Sequence, residues 1–358
     1  MNRARLLPAA VAAVLAVVCL IPAASRAQTL SYTLFDRYLE ALRQQVGIPG
    51  VSVAVMRNGL LEWERGFGRQ DISRNLPATG DTVYPIGGLT ESMAATVLGL
   101  CAERGALDVD QPVQTYAPAF GAPATTVRDL LAHVSEIGLP GRFHYNPARY
   151  AALTPVLEAC TGGSIRTALA TEVFERLGMA SSVPGADLLV PDNPARLLFT
   201  PEVLDRYADV LTRTAVPYRV DKNGKATPVV SEAPPAGLDA ASGVLSTTRD
   251  LARYDAALDD AVLLQADTLA IAWRPAVVAT ETLPTGLGWF VQTYEGQRIV
   301  WQFSNGPEGY SGLVVKVPAR RVTLIMLANS AGLASSASLE TGDVTTSPFV
   351  RVFLRLFA

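Results

Sequence analysis

The stretch Tyr84-Pro-Ile-Gly-Gly-Leu-Thr-Glu-Ser-Met-Ala-Ala-Thr-Val-Leu98 holds the residues whose types and order bear most directly on chemistry. A small-residue turn runs there into an Ala/Thr-rich helix, and positions i and i+3 share a helix face. Gly88 and Glu91 stand at that spacing. A serine and a lysine so placed form an acyl-transfer pair, the serine attacking a carbonyl while the lysine helps remove its proton. Glycine offers no nucleophile, and glutamate reverses the charge. No Ser-x-x-Lys occurs anywhere in the chain. The three lysines, Lys222, Lys225 and Lys316, follow Arg219, Lys222 and Leu313 at that distance. A Gly-x-Ser-x-Gly elbow is absent too, since Gly309-Tyr-Ser-Gly-Leu313 fails at its last position.

Other chemistries find little support. Ser92, Ser304 and Ser311 are conceivable nucleophiles, but none has a base at readable spacing. Glu91 with Tyr145 forms an acid–base pair only if a pocket desolvates the carboxylate. The simpler reading places Glu91 in the first turn of a helix, where the macrodipole stabilises it. His133 and His144 are the only histidines, too few at this spacing for a metal site. No metal and no cofactor are expected.

Hydrophobic periodicity supplies the elements that position these residues. Leu34, Phe35, Tyr38, Leu39 and Leu42 recur at helical spacing, predicting an amphipathic helix over Leu30–Val46 that Gly47-Ile-Pro-Gly50 ends. Val51–Met56, Arg57-Asn-Gly59 and Leu60–Glu64 read as a hairpin. Helices are expected at Thr90–Arg104, Thr126–His133, Arg149–Cys160 and Ile165–Leu177, then a loop through Val183–Pro194. Tyr218–Val229, around Asn223-Gly224, reads as an exposed hairpin. Beyond Pro234-Pro235, a helix capped by Ser246 or Thr247 leads to strands at Gly288–Tyr294, Gln297–Phe303, Gly312–Val317 and Val322–Ala328, with a closing helix over Ser347–Phe357. Strands at both ends with helices between imply an α/β (α+β) fold: an antiparallel sheet built from both termini, flanked by helices, plus a mostly helical lobe.

Arg3 and Arg5, an apolar run from Leu6 to Cys19, and Ser25-Arg-Ala27 form a secretory leader with a cleavage site before Gln28. An uncleaved anchor is the competing reading, and Pro22 with the small residues near Ala27 favours cleavage. The division is therefore residues 1–27 as leader and 28–358 as one domain. Its sheet parts lie near 28–84 and 236–358, its helical part near 85–235. Lys+Arg 30 against Asp+Glu 33 gives −3, and loss of Arg3, Arg5 and Arg26 makes it −6. Nucleic acid, which wants a basic face, is not an expected partner. No membrane span is expected after cleavage. Cys101 and Cys160 fall in apolar, helical stretches. In an oxidising compartment they can pair, and two separate buried thiols are an equal alternative.

Nearly the whole mature chain resembles the serine β-lactamase and penicillin-binding-protein superfamily, in its class C β-lactamase and carboxylesterase branch. The carriers, in order, are the Tyr84–Leu98 segment, Gly105-Ala-Leu-Asp-Val-Asp-Gln-Pro-Val113, Thr126–Ser135, Arg142–Tyr150, Leu177-Gly-Met179, Gly286-Leu-Gly-Trp289 and Leu327-Ala-Asn-Ser330. The resemblance implies a β-lactamase/transpeptidase-like fold. It also implies that all three catalytic motifs are degenerate. Gly88 and Glu91 replace the Ser and Lys of the first. Tyr145 fits the Tyr of the second, whose Asn is Pro147. In the third, Phe303-Ser304-Asn305 replaces a cationic residue and a glycine. Gly88, Glu91, Tyr145, Pro147, Phe303, Ser304 and Asn305 are therefore expected to line a vestigial pocket, neutral to acidic, with no catalytic residue assigned. The expected function is a secreted or periplasmic serine-hydrolase homologue, inactive by the Ser-x-x-Lys route, with a binding or regulatory role in the cell envelope. Its partners would be a small-molecule or peptidoglycan-like ligand in the cleft, or a protein. The rival is a hydrolase of esterase, β-lactamase or D-amino-acid peptidase type, using a rearranged nucleophile or Glu91.

Overall fold

The computed structural model describes residues 23–134, 141–229, 237–306 and 309–358. The leader up to residue 22, Ser135 and Pro234-Pro235 lie outside the described residues. Helix α1 (Ala23–Val46) begins inside the segment read as a leader. It is followed by strands β1 (Gly50–Arg57), β2 (Leu60–Asp71) and β3 (Leu76–Pro77), and helix α2 (Leu89–Glu103). The C-terminal strands are β4 (Phe290–Tyr294), β5 (Gln297–Asn305), β6 (Ser311–Val317) and β7 (Val322–Ala328). They join the N-terminal strands in one antiparallel sheet of order β4-β5-β6-β7-β1-β2-β3. Both ends of the chain thus build the sheet, as the strand pattern predicts.

Because successive strand residues point to opposite faces, the central strands are apolar on both sides. Val51, Val53 and Val55 of β1 pack with Phe35 and Leu39 of α1 and with Phe349 and Phe353 of the closing helix Pro348–Phe357. Ala54 and Met56, on the other face, belong to the cluster that holds Met93 and Val97 of α2 and Leu251 and Leu258 of helix Thr248–Asp259, which packs on β1. Full burial of each such side chain contributes roughly 1.5–3 kcal/mol. The closing helix starts on Ser347, whose side chain accepts the Val350 N–H, with Pro348 in the first turn.

Helix Thr248–Asp259 is capped by Thr247, which accepts the Asp250 N–H. Thr126 and Asp129 form a reciprocal capping box at the start of Val127–Leu131. The 218–229 hairpin forms as expected, from Tyr218–Val220 and Ala226–Pro228, and Lys222 and Lys225 are exposed on it. Among the described residues, helices Pro201–Leu211 and Ala266–Ala272 and the single turn Gly332–Ser335 escape the sequence reading. The first is signalled by Thr200-Pro201-Glu202 and by Val203, Tyr207 and Val210 at helical spacing.

Cys101, near the end of α2, is disulfide-bonded to Cys160 in helix Thr154–Thr161, with a Cα–Cα distance of 5.9 Å. The alternative of two separate thiols is thereby set aside. Spacing alone does not bring these two helix ends together; their packing does. Lys316 of β6 is buried, with its ammonium 2.5 Å from Asp255 and 2.8 Å from Asp259 of helix Thr248–Asp259.

Candidate functional site

The amino end of α2 abuts the end of β5. Gly88 has φ −59 and ψ −16, ordinary helical values, so its lack of a side chain is a matter of space and not of backbone torsion. A Cβ there would lie 2.6 Å from the Phe303 carbonyl oxygen and 3.0 Å from the Tyr145 hydroxyl. Its neighbour Gly87 has φ +46, and a Cβ there would collide with Ser304 Oγ. The strand therefore occupies the volume that a nucleophilic side chain would need.

Glu91, one turn further, is fully buried. Its Oε2 accepts from Gln302 Nε2 at 3.0 Å and from His133 Nε2 at 3.3 Å, while the Tyr145 hydroxyl approaches Oε1 at a longer 3.5 Å. His133 Nδ1 accepts the Asn146 backbone N–H at 3.3 Å, which leaves the ring proton on Nε2, directed at Glu91. No arginine or lysine is among these partners. Burial accordingly pushes the Glu91 carboxyl above the ordinary carboxylate range, against the opposing pull of His133 and the hydrogen bonds. Glu91 stands in the first turn of α2, as the simpler reading places it, but its carboxylate is buried against the sheet. Burial, reinforced by the Glu91 charge, also raises the Tyr145 hydroxyl well above its usual range.

The remaining volume is aromatic. Phe303 is 3% exposed and packs on Tyr145 (ring centroids 5.0 Å) and Phe290 (5.6 Å). His133 is flanked by Tyr145 at 4.8 Å and Tyr150 at 5.1 Å, and the Tyr150 hydroxyl donates to the Glu91 backbone carbonyl. With Glu91 and Phe303 both buried, the expected neutral-to-acidic cleft has neither side chain to present to a ligand.

Gly88, Glu91, Tyr145, Phe303 and Ser304 are thus brought together. Pro147 is exposed at the start of the short helix Pro147–Tyr150, and Asn305 is exposed at the end of β5. Ser92 Oγ donates to the Leu89 carbonyl and Ser311 Oγ to the Ser330 carbonyl, so both hydroxyls are committed to backbone. Ser304 Oγ is buried without a hydrogen-bond partner. His133 and Gln302 are site residues that the sequence reading does not assign. Gln302 leaves a trace, a polar residue between Trp301 and Phe303 in a strand otherwise apolar there. His133 leaves none, because its approach to Glu91 depends on a left-handed backbone turn, φ 53.

The seven-stranded sheet, the helix that opens on Gly88 and the neighbouring end of β5 define a β-lactamase-type fold. The chain belongs to the Beta-lactamase family, whose profile matches residues 35–343. It is 23% identical over 323 residues to a penicillin-binding protein of Bacillus subtilis, covering 78% of this chain and 67% of that one. It is 33% identical over 106 residues to the mitochondrial serine beta-lactamase-like protein LACTB of Mus musculus, covering 28% of this chain and 19% of the relative. The second match thus spans only about a fifth of that protein. Among solved structures, the octameric penicillin-binding protein homologue from Pyrococcus abyssi superposes with TM-score 0.70 at 21% identity, covering 90% of this chain and 77% of that one. The class C beta lactamase from Rhodobacter sphaeroides gives 0.63 at 21%, covering 83% and 93%. These likenesses establish the fold.

Proposed function

We propose that this chain is a non-catalytic member of the serine hydrolase family to which it belongs. In this reading it is exported to the periplasm or beyond and serves as a binding or regulatory component of the cell envelope. One observation carries the proposal: at position 88 the Phe303 carbonyl and the Tyr145 hydroxyl stand where a serine side chain would have to sit. The buried Glu91 supports it, since a carboxyl group that accepts from Gln302, His133 and Tyr145 has no proton-accepting amine to offer. The leader sequence and the Cys101–Cys160 disulfide favour an oxidising compartment.

A second reading rests on the contact of Glu91 with His133 and Tyr145, a desolvated carboxylate beside an imidazole and a phenol. Such a cluster can move protons in a hydrolase of rearranged mechanism. Full burial of Glu91 counts against it.

The test is covalent labelling of near-stoichiometric protein with fluorescent penicillin and a fluorophosphonate, beside an esterase and peptidase panel. We expect no adduct and no turnover. A labelled peptide containing Ser92, Ser304 or Ser311 would promote the rival.

A further inference from the structure

Where the amino end of α2 is closed, its later turns are hollow. A cavity of about 250 Å³ opens beside Ala95, one turn beyond Glu91, and runs along the helix past Gly99 and Ala102. Helix Ala266–Ala272 forms the facing wall through Thr268 and Leu269, and Trp289 closes one side.

Gly99 is informative because its backbone does not require it. Its φ lies outside the left-handed region, and a Cβ there would meet only the Leu264 side chain, at 3.0 Å, and more distantly the Thr268 methyl. A glycine inside a helix is a destabilising choice, and here it makes room for the Leu264 side chain that lines the cavity.

Both charged side chains that line the cavity, and Thr96 beside them, are already engaged. Arg128 donates to both Asp110 oxygens at 2.6 and 3.0 Å, Glu103 accepts the Gln265 N–H at 2.7 Å, and Thr96 donates to the Ser92 carbonyl at 2.9 Å. A charged ligand would lose hydration there without gaining an unpaired counter-charge. Water inside would find few partners, and an apolar group would displace it favourably.

We infer that this cavity is a binding site for an uncharged apolar group, either a short alkyl chain or a single aromatic ring. Its volume suits roughly six to ten non-hydrogen atoms, since a cavity of about 150 Å³ already holds benzene. The site is separate from the closed corner at Gly88 and does not depend on whether that corner is catalytic.

The experiment is calorimetric titration of the full chain with 1-hexanol and with hexanoate, repeated on Ala102→Phe and Thr268→Phe. These two variants fill the cavity from opposite walls, and thermal unfolding of each checks that it is folded. We expect saturable one-to-one binding of 1-hexanol with a dissociation constant on the order of 100 µM to 1 mM. Hexanoate should bind at least about tenfold more weakly, and each folded variant should lose at least about tenfold in 1-hexanol affinity. Non-saturable heats, equal or tighter hexanoate binding, or native affinity in the folded variants would overturn the inference.

Discussion

His133 holds its Nε2 3.3 Å from the Glu91 carboxylate while its Nδ1 accepts the Asn146 N–H. One ring therefore ties the helix that opens on Gly88 to the loop that carries Tyr145. The tie stabilises a buried carboxyl without supplying a fixed positive charge.

Stability should consequently fall with rising pH through this group. Burial raises the Glu91 pKa in the folded state. Its contribution is therefore fully present below the unfolded value, near 4.5, and is lost as pH climbs to the folded value. The slope is at most about 1.4 kcal/mol per pH unit. Glu91→Gln keeps an acceptor for Gln302 and His133 and presents its NH2 to the Tyr145 hydroxyl. Denaturant unfolding from pH 4 to pH 9 should show the variant gaining on the parent as pH rises. A constant difference across that range would count against a raised Glu91.

Restoring the first motif should not restore chemistry. In Gly88→Ser/Glu91→Lys, the new side chain meets the Phe303 carbonyl, and the new ammonium sits among the donors of His133 and Gln302. Overpacking costs about 1–3 kcal/mol and an uncompensated buried charge about 3–5 kcal/mol. Thermal unfolding should shift down accordingly, and cephalosporin hydrolysis should stay at least ~100-fold below an active family member. Turnover within tenfold of such an enzyme would show that the corner opens readily.

Removal of the Cys101–Cys160 bond should weaken the helical layer. The bridge closes a loop with a sequence separation of 59. The expected loss, on reduction or in the Cys101→Ser/Cys160→Ser variant, is about 2–4 kcal/mol. Unchanged denaturation midpoints with and without reductant would refute a structural role.

Lys316 should be irreplaceable by an apolar residue while its partners remain. Lys316→Met leaves Asp255 and Asp259 buried together, at an expected cost of about 3–5 kcal/mol. Adding Asp255→Asn should recover part of that loss in chemical denaturation. Full tolerance of Lys316→Met alone would mean that the cluster is solvated in solution.

The sheet was legible because its strands carry their signal locally. Val51–Met56 and Val322–Ala328 are nearly unbroken apolar runs, Asn58-Gly59 marks the turn after the first, and Asn223-Gly224 marks the separate 218–229 hairpin. Gly88 and Glu91 were readable from spacing along one helix. Glu91's burial was not, since it depends on Gln302 and His133, each far away in sequence and brought in by the sheet and by a left-handed residue. Helix Pro201–Leu211 was missed although its amino-terminal signal is present. The disulfide stayed open because cysteine spacing does not determine which helix ends meet.

The lysine distribution has a practical consequence. With Lys316 enclosed, the side-chain amines that reagents can reach, Lys222 and Lys225, sit together on one hairpin. Apart from the α-amino group, amine coupling to a sensor surface would therefore hold every molecule by the same handle. All copies would share one orientation, a uniformity that random lysine attachment rarely gives and that suits a search for binding partners.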